Sequence, residues 1–358
     1  MRKVSEYGEK NFISEVLSRF SKTAAESEKE DCVVIDLATL IKGQVGHQCI
    51  VYSIDHPGMI ERPLKRELSR FRFYGRWIAS CTLGDVIAMG ARPKGFALDL
   101  AVQNNQAAYE VEEILYGISE VMAAYKCEFQ GGNIDNNPLS TVGLGWGMVN
   151  SADKLIRRSG SAIGDKIIVT APIGTGWASW VSRKMGIWNN LSFLTREFFT
   201  AYNDFPLAPI ESILECSERG LFTSGMDLTD GLVEFAHTIA RRNNVRVVIE
   251  EQLLSPSRYI REVAEHFRIK PEYFCLDPGY DTPLIHGYTV RNESVSAVKK
   301  IFQSNGHEMT VVGAVFEGDG VWYKNETDEL KSMPMFCDDQ FAVEDRLTRW
   351  KSFHNALS

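Results

Sequence analysis

Residues 226–232 read MDLTDGL, setting Asp227, Thr229 and Asp230 just ahead of Gly231 and a stretch of helical spacing, LVEFAHTIA. Asp and Thr are favoured helix caps, because their oxygens accept from N–H groups that the first turn leaves unpaired. One such residue is enough for a cap. Two carboxylates held together repel each other unless a cation or a donor stands between them. Acids recur at similar places. Asp31 opens a β-like run, Asp55 ends the next, Asp85 lies within TLGDVIAMGARP and Asp281 within PGYDTPL. For most of these a cap or a solvated turn is an adequate reading. Asp85 differs, because Val86, Ile87, Ala88 and Met89 follow it directly. An ionised carboxylate in an apolar stretch is costly unless it is paired or bound to a metal. Acids gathered at loop mouths are what Mg²⁺ bridging to a polyphosphate needs.

The elements that must position these acids can be read from periodicity. EKNFISEVLSRFSK (9–22) places Phe12, Ile13, Val16, Leu17 and Phe20 on one helical face. Two β-like runs follow, CVVIDLA and CIVYSID, then a long helical pattern, YGRWIASCTLGDVIAMGA, and a strand, GFALDLAV. Residues 107–125 form an amphipathic helix, and LSTVGLGWGMV (139–149) a strand whose glycines admit close backbone approach. The pattern restarts near residue 150 with KIIVT, the turn APIGTG and a helix. Further strands are predicted near 246–251, 282–290 and 308–316, with helices near 231–242, 257–268 and 293–304. Strands and helices mix without strict alternation, which predicts an α+β fold rather than a doubly wound sheet. The expected division is a first domain over 1–150, a second over 151–330 and a tail over 331–358.

Composition narrows the function. With 358 residues, 44% hydrophobic and 24% charged, the chain reads as a soluble protein with room for two cores. No apolar run reaches membrane-spanning length, and MRKVSEYGEK has no signal-peptide character. Seven scattered cysteines without a C-x-x-C pair point to reduced thiols in a cytoplasm. The N-x-[ST] triplets at Asn190, Asn292 and Asn325 are then chance matches. A formal charge of −8 argues against a nucleic-acid partner. It leaves room for a nucleotide. There is no G-x-x-x-x-G-K-[ST] loop, and GTGWAS carries only part of a glycine fingerprint.

GDVIAMGARP, GGNIDNNPLSTVGLGWG, RRSGSAIGDKIIVT and MDLTDGL follow one another in the order seen in the aminoimidazole-ribonucleotide synthetase superfamily. The chain most resembles its thiamine-monophosphate kinase branch, from GEKNFI through EDCVVI to VVGAVFEGDGV, roughly residues 8–321. That resemblance implies an N-terminal α/β domain that dimerises through its sheet and a C-terminal α/β sandwich domain. It implies ATP and Mg²⁺ as cofactors, held close to the homodimer interface. Asp31, Asp55, Asp85, Asp227 and Asp230 match metal-ligand positions, and Ser53 another position near the metals. Asp85, Asp227 and Asp230 would carry catalysis. Gly132, Asn133, Arg158 and Thr229 match positions that meet ATP, the first two in a loop. On the substrate side stand Arg62, Tyr280 and Asp281. The strand run 95–101 and the helix at 71–90 would lie near the dimer contact.

Departures from the branch pattern are specific. Paired aspartates become Glu30 and Asp31, a Thr becomes Ile54, and the Asp of a Gly-Gly-Asp motif becomes Asn133. In Gly-Glu-Asp-Tyr the Glu becomes Tyr280 and the Tyr becomes Thr282, while a substrate-contacting His aligns with Arg62. The tail stretch MPMFCDDQF has no counterpart to Gly-Tyr-x-His-Phe. The losses at 54 and 133 would fall on one metal, and the others on the acceptor. The leading expectation is therefore an ATP- and Mg²⁺-dependent kinase of a small metabolite with altered acceptor, a nucleoside-like one among the candidates. The alternatives are an enzyme that activates a carbonyl or amide oxygen (a cyclo-ligase or dehydratase type) and a nucleotide-binding regulator without turnover. The amide-processing branch with a C-terminal cysteine is disfavoured by FHNALS, and selenophosphate synthesis by the lack of Cys in residues 1–31.

Overall fold

The computed structural model describes residues 32–37, 48–58, 62–204, 207–276, 285–336 and 345–357. The helix expected over 9–22 lies outside these residues, as do Asp31, Tyr280 and Asp281. In chain order the first half runs β1 (Val33–Asp36), β2 (Cys49–Asp55), α1 (Arg70–Ala88), β3 (Arg92–Ala101), α2 (Ala108–Tyr125), β4 (Glu128–Asp135) and β5 (Ser140–Val149). These strands form one sheet in the order β1-β2-β5-β3-β4. The second half begins with β6 (Lys166–Val169), α3 (Thr175–Lys184), α4 (Phe193–Asp204), α5 (Ile210–Glu218), β7 (Phe222–Asp227), α6 (Gly231–Asn243) and β8 (Arg246–Glu250). It continues with α7 (Arg258–Phe267), β9 (His286–Val290), α8 (Val295–Ser304), β10 (Thr310–Phe316), β11 (Val321–Lys324), β12 (Leu330–Ser332) and α9 (Arg346–Leu357). Its sheet has the order β12-β11-β8-β10-β6-β9-β7. Two mixed sheets with helices packed on them give the α+β fold that the unalternating pattern predicts.

α1 is the hinge of this arrangement. Ser69 caps it by accepting from the Arg72 N–H at 3.0 Å. Most of its residues are buried on every side, the mark of an interior helix rather than a surface one. Ile78, Leu83 and Ile87 join Phe96 and Leu98 of the first sheet in one core with Ile168, Ile213 and Tyr288 of the second half. On β5, Gly143, Gly145 and Gly147 face this helix. A Cβ at these positions would stand 2.4 Å from Thr82 Oγ1, 2.8 Å from a Leu83 methyl and 2.6 Å from the Arg92 carbonyl. The alternate residues Val142, Leu144, Trp146 and Met148 therefore turn to the outer face of the sheet, as the period of a strand dictates.

Two differences from the sequence reading matter for the site. EFQGGNID is strand β4, paired in parallel with β3, where the motif suggested a loop. It is an edge strand with mostly exposed side chains, so it carries no hydrophobic alternation to betray it. Within the stretch expected as a tail over 331–358, the helix α9 was not anticipated. Trp350, Phe353 and Leu357 of α9 enter the second core beside Trp177 and Phe274. No helix among the described residues is long and apolar enough to cross a membrane.

Candidate functional site

Where the sheets approach each other across α1, acids from both halves of the chain meet. Ser53 on β2 is buried and donates to Asp85 Oδ2 at 2.5 Å. Asp55, two residues on, faces the same side of the sheet, opposite Gly143. Burial pushes its carboxyl above the ordinary range, and the His56 N–H at 2.7 Å from Oδ1 offsets part of that.

Asp227 ends β7, is 7% exposed, and accepts from the Thr229 N–H at 3.0 Å. β9 ties this strand to α1. His286, the register partner of Asp227, donates from Nε2 to the Gly84 carbonyl at 3.0 Å, next to Asp85. Tyr288 reaches the Ala88 carbonyl at 3.4 Å, one of the acceptors that a helix leaves unpaired in its last turn.

Cys81 reports the combined field. It sits one turn before Asp85 on α1, fully inside. Burial drives its thiol pKa well up, Asp55 and Asp85 raise it further, Arg62 lowers it, and Asp227 adds to the rise. Three carboxylates from three separated segments and one guanidinium thus act on a single buried atom.

The opening motif also takes a definite form. Asp230 occupies the N-cap of α6 but makes no side-chain capping bond. It is Asp227 that satisfies the backbone of the turn, through Thr229. Capping therefore does not account for the second acid. Asp230 is half-buried and Thr229 exposed at the positive end of α6. Glu234, in the first turn of the same helix, is buried and accepts from Thr238 Oγ1 at 3.0 Å.

Other residues singled out by the sequence stand elsewhere. Gly132 is needed by packing, since a Cβ there would lie 1.8 Å from the Leu98 carbonyl. Asn133 donates from Nδ2 to Asp99 Oδ1 at 2.9 Å, on the outer face of the sheet. Ile54, 61% exposed, pairs with Leu144 on that same face. The strand order puts Ile54 and Asn133 three strands apart, about 14 Å at the usual spacing. Within one protomer they cannot hold one ion together, contrary to the reading that both losses fall on a single metal. The Arg158 carbonyl accepts from Asn243, the last residue of α6, and a helix of that length spans about 20 Å. The backbone of Arg158 is therefore held at the opposite end of α6 from Thr229 and Asp230. Arg62 donates to Asn203 Oδ1 at 2.7 Å and lies 4.5 Å over the Trp77 ring.

Sequence reasoning missed Cys81, Asp99, Asn203 and His286. Cys81 could have been found, because it is four residues from Asp85 and so shares its helix face. The other three carry no local signal, since each depends on which strand or helix lies opposite. For Mg²⁺ the donors have the right chemistry, carboxylate and hydroxyl oxygens. Among the described residues no three His, Cys, Asp or Glu side chains are gathered into a cage. Mg²⁺ commonly takes one or two carboxylates and completes its shell with phosphate oxygens and water, so these residues fit an ion that arrives with a polyphosphate.

Comparison with known proteins bears on the same architecture. Residues 29–149 match the family model for the AIR synthase related protein N-terminal domain, and residues 162–324 that for its C-terminal domain. The chain is 26% identical over 265 residues to a thiamine-monophosphate kinase of Aquifex aeolicus, covering 72% of this chain and 79% of that protein. With the Pyrococcus abyssi enzyme of the same name the identity is 27% over 250 residues, 70% and 73% of the two chains. Among solved structures it is similar in fold to AaThiL complexed with AMPPCP and TMP, with TM-score 0.73, 21% identity and coverage of 90% and 95%. It is also similar in fold to the E. coli hydrogenase maturation protein HypE, with TM-score 0.64, 14% identity and coverage of 88% and 92%.

Proposed function

The chain belongs to the AIR synthase related protein family, and from that premise we propose that it is an ATP- and Mg²⁺-dependent kinase of a small metabolite, working as a homodimer. The observation that carries this reading is the convergence of Ser53, Asp55 and Asp85 with Asp227 around α1. Phosphoryl transfer asks for positioning and charge neutralisation more than for covalent help. Asp55, Asp85, Asp227 and Asp230 would hold Mg²⁺ against the phosphates of ATP, and the ion would supply that neutralisation. Ser53 fixes the direction of the Asp85 carboxyl group through its hydroxyl. His286 holds the backbone beside Asp85 to the strand that pairs with Asp227, so the two acids keep their spacing. Arg62 adds a fixed positive charge on the acceptor side. The likeness to thiamine-monophosphate kinases supports the reaction class, while the departures at Arg62 and Tyr280 support a different acceptor.

The dimer reading rests on the outer face of the first sheet, where Ile54 and Leu144 are 61% and 38% exposed and Tyr52 and Trp146 partly so. α1 is buried on the other face and would not form the contact itself. Incubation with MgATP and a panel of metabolites, followed by ³¹P NMR, tests the function. ADP with a phosphorylated product is the expected result. ADP with free phosphate and a dehydrated or ring-closed product would move the assignment to carbonyl activation. Tight nucleotide binding without ADP would make the protein a regulator.

A further inference from the structure

A cavity of about 970 Å³ lies between the 62–67 segment and helices α3 and α4. Arg62, Lys65, Arg66, Arg183 and Arg196 line it, against the two acids Glu67 and Glu197. Such an excess of cations is at odds with a chain whose formal charge is −8. Lys65 is held by Asp204 at 2.6 Å. Among the described residues, Arg66, Arg183 and Arg196 have no carboxylate within ion-pair distance. Two aromatic rings, Trp188 and Phe193, share the lining, and Phe193 is 66% exposed.

The cavity is joined to the site by packing. Leu64, from its wall, packs on the cluster of Leu68, Phe73, Trp77 and Cys81. Trp77 and Cys81 are two turns and one turn before Asp85 on α1, a span of about 12 Å from Trp77. A small molecule seated against Arg62 can therefore reach toward the carboxylates. The volume falls within the range of ordinary small-molecule sites.

We propose that this cavity seats the acceptor, and that the acceptor is a planar-ring metabolite that already carries a phosphate and bears no fixed positive charge on its ring. The guanidinium groups of Arg66, Arg183 and Arg196, without a carboxylate partner among the described residues, suit a phosphate, which accepts two parallel N–H bonds from a guanidinium fork. Trp188 and Phe193 suit the face of a flat ring. A ring with a permanent positive charge, as in thiamine monophosphate, meets five cations at that wall and is disfavoured. A nucleoside monophosphate has the required form. The inference rests on the kinase reading for the word acceptor, but binding in the cavity can be measured without turnover.

The test follows tryptophan fluorescence and calorimetry of the full chain saturated with a non-hydrolysable Mg²⁺–ATP analogue, which keeps probes out of the nucleotide site. The probes are uridine 5′-monophosphate, 4-nitrophenyl phosphate, ribose 5-phosphate and thiamine monophosphate. The two ring phosphates are expected to bind at least about tenfold more tightly than thiamine monophosphate or ribose 5-phosphate, the scale of one good charged or stacking contact. Replacing both Arg183→Ala and Arg196→Ala should weaken the ring phosphates by about tenfold or more, with affinity for the ATP analogue unchanged as the control for folding. Thiamine monophosphate binding as tightly as the ring phosphates would overturn the charge assignment. Ribose 5-phosphate matching them would overturn the ring, and an arginine pair without effect would overturn the location. Ring phosphates that bind as expected but are never phosphorylated would sink the kinase reading and leave the cavity assignment standing. Phosphorylation of thiamine monophosphate with weak ring-phosphate binding would do the reverse.

Discussion

Asn133→Asp restores the acid of the branch motif and puts a second carboxylate against Asp99. In the native protein the Asn133 amide donates to Asp99 Oδ1 at 2.9 Å, so the variant exchanges a charge-assisted hydrogen bond for a like-charge contact. Two unit charges at that distance repel by about 1.4 kcal/mol in bulk water and several-fold more at the effective dielectric of a partly buried pair. Both side chains are exposed, so the aqueous figure governs, and rotation of either side chain relieves part of it. The lost hydrogen bond adds roughly 1 kcal/mol. Asn133→Asp is thus expected to destabilise the fold by about 1–2 kcal/mol at pH 7 in low salt, read by urea unfolding. Asn133→Ala loses the hydrogen bond alone and should cost less. Asp99→Asn in the Asn133→Asp background should recover most of the loss, and high salt should shrink it by screening. Adding Ile54→Thr should bring no further gain in Mg²⁺ affinity to one protomer, because the two positions are three strands apart. An Asn133→Asp variant as stable as the native chain in low salt at pH 7 would refute the contact and the account of this position. Joint recovery of Mg²⁺ affinity and of thiamine phosphate turnover by the double variant would refute the separation of the two sites.

The other perturbations have simpler expected outcomes. Asp85→Asn should lower turnover by at least about 10²-fold, the effect of losing one preorganised electrostatic contact, while circular dichroism shows a native fold and metal-free stability holds or rises. On the proposed reading, calorimetric titration with ATP should give much weaker binding in EDTA than with Mg²⁺, since four carboxylates would otherwise face the phosphates; equal affinities would count against the metal-bridged reading. On the proposed homodimer, native light scattering at micromolar concentration should give a dimer and Leu144→Glu, with its charge on the outer sheet face, a monomer. His354, buried among Tyr273, Trp350 and Phe353, has its imidazole pKa lowered by burial to about 3. Its proton uptake on unfolding favours the unfolded state as pH falls below about 6.5, by about 3 kcal/mol at pH 4. His354→Phe should therefore flatten the acid side of the stability profile in urea unfolding, and an unchanged slope would refute it.

How much of the protein is legible in its sequence can be judged residue by residue. The alternation of Gly143, Gly145 and Gly147 with larger residues told that β5 presses on something, because a strand repeats every second residue. The apolar setting of Asp85 marked it as an anomaly, because the cost of burying a charge is a property of its immediate neighbours. The mixed order of strands and helices told the fold class. Strand β4 was not legible, because an exposed edge strand with two glycines has no apolar period. Nor was the meeting of Asp85 with Asp227, 142 positions apart in the chain: it depends on α1 lying between two sheets, with His286 and Tyr288 bonded to its last turn. The cation-lined cavity was equally hidden, since Arg62 and Arg196 are neighbours only through α4 packing beside the 62–67 segment. Local sequence determined which residues are costly to bury and which elements form, because propensity and period act over a few residues. Which of those residues face one another, and hence what the site can bind, was decided by helix and sheet packing across the whole chain.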